Sequence, residues 1–152
     1  MKRTLALCFI LVLVLATAGC DGTVKKAAEY MDDAADAIGL IQAITISAEA
    51  NDLISGEIHD GILKATLKAS TAGLEIVKLL TMLDQMGVEE FNVNDKTEIL
   101  TYLTAMSEAL DPVEIIGILD IEDAEVRHSI QTGFETARSV LSAFNIMIQT
   151  GE

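Results

Sequence analysis

Between Val126 and Ile148 an apolar side chain recurs at steps of four and three: Val126, Ile130, Phe134, Ala137, Leu141, Phe144 and Ile148. A helix turns once in 3.6 residues, so this spacing gathers all seven on one face, where a strand would scatter them over two. His128, Gln131, Glu135, Arg138 and Ser142 fall on the other side. An amphipathic helix of this length must cover its apolar stripe with another one. That requirement sets the fold class, provided the rest of the chain carries matching stripes.

It does. Ala27, Met31, Ala34, Ile38, Ile41, Thr45 and Ala48 follow the same rhythm, and so do Ile62, Thr66, Ala69, Gly73, Ile76, Leu80 and Leu83. A shorter run has Ile99, Leu103, Met106 and Leu110 on one side. Within the first run, Ile44-Thr45-Ile46-Ser47 alternates like a strand over four residues, but the longer helical pattern contains it. Hydrophobic residues make up 51% of the chain and aromatics 4%, with one proline and no tryptophan. Such a core is built by packing aliphatic stripes. The expectation is an all-α domain over residues 24–150, a compact antiparallel bundle of about four helices, one of them short or broken.

Local chemistry sets the boundaries. Asp21 or Thr23 is placed to cap the first helix, and Asn51 to Gly56 reads as a turn in which Ser55 caps the second. Gly87 suits a left-handed stop. Val88 to Asn94 then forms a loop, with Asn94 and Asp95 as capping residues. Asp111-Pro112 breaks the third helix and restarts a short one to about Leu119. Asp120 is expected to cap the last helix, with Glu122, Asp123 and Glu125 in its first turn. Gly39, Gly73, Gly117 and Gly133 fall inside helices at about 1 kcal/mol each against alanine, and for Gly73 close helix approach is the expected compensation.

Ahead of the bundle, Met1-Lys2-Arg3 is followed by an apolar run from Leu5 to Ala16 that ends in small residues. A membrane-spanning helix needs ~20 apolar residues, so this run has the layout of a secretory signal peptide, residues 1–19. Thr17-Ala18-Gly19-Cys20 resembles the lipobox of bacterial lipoprotein signals, with Thr17 where an aliphatic residue is usual. The resemblance implies cleavage between Gly19 and Cys20, a lipid on the Cys20 thiol, and export to the outside of the cell membrane. Residues 20–23 would then be anchor and tether. The alternatives are an ordinary signal cut after Ala18 or nearby, which would leave Cys20 as an unpaired exported thiol, and an uncleaved membrane anchor. By the sorting rule of enteric bacteria, Asp21 after the lipidated cysteine favours the periplasmic face of the inner membrane, with the outer membrane as the other destination.

Chemistry on the mature chain is sparse. Glu125-x-x-His128 is half of a di-iron carboxylate signature, but His128 points away from the apolar stripe and His59 has the wrong spacing to complete it. Met82 and Met86 could offer two thioethers to a soft metal, yet gap-filling in the core accounts for them more simply. Asn92, Asn94, Asp95 and Glu98 lack the spacing and glycine of a calcium loop. The sequence has no phosphate loop or serine elbow, and acylation would consume the Cys20 thiol. No catalytic residue, metal or cofactor is expected, and an enzyme is disfavoured.

The net charge is −14; loss of Lys2 and Arg3 leaves 8 basic against 24 acidic residues, a net −16. A surface of that sign repels nucleic acid and favours cationic partners. Glu29, Asp32, Asp33 and Asp36 cluster near the anchor, either as a solvated face that complements the helix dipole, the simpler reading, or as a place where a cationic envelope protein could dock. The expected role is therefore a lipid-anchored, non-enzymatic helical module acting through protein contacts. The alternative is a carrier or sensor for a small apolar ligand, held among the small residues Ala34, Thr45, Ala69, Gly73 and Ala137. With only about 10–14 Å of chain between Cys20 and Val24, the acidic bundle is expected to hang close to the bilayer and touch it through acyl chains alone.

Overall fold

The computed structural model describes residues 22–111 and 120–151. The expected signal peptide with Gly19, then Cys20, Asp21 and the short helix expected up to Leu119, with Gly117, lie outside the described residues. Among the described residues four helices follow in order: α1 (Thr23–Ala50), α2 (Gly56–Gln85), α3 (Val93–Ala109) and α4 (Ala124–Thr150). Each packs against its neighbour in sequence, and α4 closes the ring against α1 in the broadest of these interfaces. Short connections make α1, α2 and α3 successively antiparallel. The result is an antiparallel bundle, as the stripes demand.

Every residue of the first three stripes is buried, and so is all of the fourth except Val126, which is half-buried at the start of α4. Thr45 and Thr66 are buried with them. Their hydroxyls return to the carbonyl oxygens of Ile41 (2.7 Å) and Ile62 (3.0 Å), so neither side chain is left without a partner inside the core. Gln42 Nε2 donates across to Thr66 Oγ1 at 3.2 Å, pinning α1 to α2.

With 17 residues against 27 to 30 in the others, α3 is the short member. At ~1.5 Å per residue it stops about 15 Å short of its neighbours. The chain beyond it supplies Leu110 and Ile121, both fully buried, so the core continues above the end of α3.

The helix ends depart from expectation in three places. Gly22, with no side chain to offer, occupies the N-cap of α1, and Thr23 Oγ1 instead donates to the Glu89 carbonyl at 3.0 Å. The capping box of α3 belongs to Asn92, which accepts from the Asn94 and Asp95 amides while Asp95 accepts from the Asn92 amide. The loop therefore ends two residues sooner than the sequence suggested. The cap of α4 is Asp123, three residues past Asp120; its carboxylate takes the Glu125 and Val126 amides at 3.0 and 2.9 Å. Burial of Ile121 accounts for the shift, because the chain inserts that side chain into the core before α4 begins. Ser55 and Gly87 play the parts expected of them, Gly87 with φ +67°.

Candidate functional site

Glu29, Asp32, Asp33 and Asp36 lie within two turns of α1, all exposed on the face opposite its buried stripe. The structure brings the four together as one acidic strip. Like charges three and four residues apart repel, costing a helix about 0.2–0.5 kcal/mol per pair. Asp32 feels this most: partial burial raises its pKa above the ordinary 3.8, and Asp36, Asp33 and Glu29 push the same way. A carboxyl raised in the folded state contributes stability that is full below its unfolded pKa and is lost as pH rises through the folded value. Asp32→Asn should therefore stabilise the bundle at neutral pH by about 0.4–1 kcal/mol, from two like-charge pairs removed. The gain should shrink on acidification towards pH 4, and paired melts of variant and parent at the two pH values measure it.

The small-residue stripe does not hollow out the interior. Gly73 is filled from both sides, since a Cβ there would meet the methyl groups of Met31 and Met106 at 3.1 Å. Beside it, where α1, α2 and Met106 of α3 meet, is a cavity of about 40 Å³ whose lining includes Leu74 and Val77. That is room for about one water molecule, far below the several hundred cubic ångströms of a ligand pocket. The Ser70 hydroxyl lines this cavity, buried and without a hydrogen-bond partner among the described residues.

A larger cleft, about 570 Å³ and open to solvent, lies where the turn between α1 and α2 meets the segment before α4. Ile54, Ile58 and Ile121 lie among its lining, together with the carboxylates of Asp52, Glu57, Asp120 and Glu122. Sequence reasoning missed it because residues 52–58 and 120–122 come together only in the fold. The one local signal is Asp52, which turns the chain in the left-handed region with φ +58°.

The remaining candidates disperse. His128 is exposed at the start of α4, and His59 on α2 is 3.0 Å from its neighbour Asp60. Met82 and Met86 are exposed rather than gap-filling. The reason is angular: Leu79, Leu80 and Leu83 take the buried face of that last turn and leave both sulfurs outside. Among the described residues, no group of three or more His, Cys, Asp and Glu side chains is placed to hold a metal ion, and no helix is long and apolar enough to cross a membrane.

The end of the bundle where the chain enters is firmly built. A Cβ on Gly22 would fall 2.5 Å from the Glu89 carbonyl oxygen, so the loop between α2 and α3 closes directly on the first residues of α1. A comparison of the chain with protein-family models, with characterised proteins and with solved structures finds no match.

Proposed function

We propose that this protein is a lipid-anchored helical module of the bacterial envelope, attached through Cys20 and acting through contacts with another protein rather than by catalysis. The observation that carries the reading is the entry of the chain into the fold. Gly22, two residues after Cys20, is already packed against Glu89, so an acyl group on Cys20 would fix one end of a rigid bundle at the membrane. The acidic strip of Glu29, Asp32, Asp33 and Asp36 then faces sideways near that end, and the carboxylate-lined cleft around Asp52 and Glu122 points away from it. Both suit a cationic protein surface, which association would be steered towards.

The test has two parts. Cys20→Ser should abolish incorporation of labelled fatty acid and leave an unprocessed or mislocalised precursor; unchanged labelling and fractionation would remove the lipobox reading. Mild crosslinking in membranes followed by affinity capture should then recover a partner whose yield drops when Glu29, Asp32, Asp33 and Asp36 are changed together to the amides. A second reading, a carrier of small apolar ligands, draws support from the buried Ser70 hydroxyl beside its cavity. It requires Met31 and Met106 to swing aside, and a rise in melting temperature with added fatty acid or long-chain alcohol would favour it.

A further inference from the structure

We propose that the anchored end of the bundle rests on the bilayer through the exposed apolar side chains of Met86 and Val93, with Met82 one turn before Met86. The inference deepens the anchored reading and rests on acylation of Cys20. Thr23, Phe91, Lys96, Met147 and Gly151 border a single small cleft. The start of α1, the loop between α2 and α3, and the finish of α4 therefore share one end of the molecule. Met86 closes α2 and Val93 opens α3, on either side of that loop. They are the two most exposed large apolar side chains among the described residues, Val93 at 80% and Met86 at 69%. Met82, 49% exposed, precedes Met86 by four residues and so lies on the same helix face. Ile146 is also exposed, one turn from the finish of α4.

What covers these side chains follows from the length of the chain. From Cys20 to Gly22 there is about 7 Å of extended backbone at most. Gly22 and Thr23 are held against Glu89, in the very loop that Met86 and Val93 flank. An acyl group on Cys20 would thus keep Met86 and Val93 within reach of the boundary between headgroups and acyl chains. Tethering makes the second contact intramolecular, so a few apolar side chains suffice where a free protein would need a broad face. Charge selects the lipid. Asp84, Glu89, Glu90, Asp95 and Glu98 outnumber Lys25, Lys26 and Lys96 around this end, so the surface it fits is zwitterionic, and anionic headgroups oppose it over ~8 Å at physiological salt. The acidic sequence suggested contact through acyl chains alone; this proposal instead seats the bundle itself.

The test uses the full chain expressed in a bacterium and purified from membranes, with acylation read from its mass. Met86→Cys, Val93→Cys and, at the opposite end, Leu53→Cys are each labelled with an environment-sensitive fluorophore. The thiol is unique, because lipid consumes that of Cys20 and Cys8 leaves with the leader. In phosphatidylcholine vesicles carrying brominated acyl chains, quenching should be several-fold greater at 86 and 93 than at 53. It should weaken when phosphatidylglycerol is added at low salt and recover at high salt. Acylated protein with quenching no greater at 86 and 93 than at 53, or with stronger quenching on the anionic vesicles, overturns the seated geometry and leaves the anchor intact. Absence of the acyl mass overturns the anchor reading and this proposal with it. All three positions are exposed, so each variant should melt as the parent does.

Discussion

Phe134→Ala is expected to destabilise the bundle by about 3–5 kcal/mol, read as a lower urea midpoint at unchanged slope. Phe134 is 1% exposed in the middle of the α4 stripe, and it ranks among the largest fully buried side chains. Truncation loses the transfer free energy of a ring and leaves a void that rigid neighbours only partly fill. The adjacent Glu135 is exposed on the same helix, and Glu135→Ala should stay within about 0.5 kcal/mol of the parent. The contrast between neighbours is what the stripe asserts. Equal small effects at both positions would mean that α4 does not bury the face assigned to it.

The second large effect lies one residue earlier. A Cβ on Gly133 would fall 2.7 Å from Cγ1 of Ile41, at the interface between α1 and α4. Ile41 is fully buried and β-branched, so it has no free rotamer into which to retreat. Gly133→Leu should therefore cost about 3 kcal/mol, at the upper end of overpacking penalties. Gly39 supplies the opposite control. Nothing lies within 4 Å of a Cβ placed there, so Gly39→Ala should stabilise by about 1 kcal/mol through helix propensity alone. Opposite signs at two helix-interior glycines, measured by the same urea titrations, would show that close approach matters at Gly133 and not at Gly39. A stabilising Gly133→Ala together with a tolerated Gly133→Leu would show that the two helices stand further apart than described.

Periodicity made the buried faces legible because a side chain at steps of three and four has only one face to occupy. Ala27 to Ala48, Ile62 to Leu83 and Ile99 to Leu110 all went where their spacing sent them. What spacing could not decide was competition at helix ends. Asp120 and Asp123 are equally good caps by type, and only the need to bury Ile121 chooses between them. Asn92 and Asp95 form a capping box that the sequence spelled out three residues apart, but Asn94 between them was as plausible. Met82 and Met86 looked like core by chemistry, and the angular positions of Leu79, Leu80 and Leu83 put them outside. Of the candidate surface, the acidic strip was legible because its four members lie on one helix. The distal cleft was not, since it joins segments more than sixty residues apart.

The broadest interface in the bundle joins its first helix to its last. A chain made and delivered from the N-terminus presents α1 long before α4 exists to cover it. The stripe from Ala27 to Ala48 can share α2 in the meantime, but Ile41 has no Gly133 to pack on until the final thirty residues arrive. Closing that gap also pays the entropy of the longest loop in the fold, which slows it relative to the neighbouring hairpins. The topology thus postpones its own completion until almost the whole chain has been made.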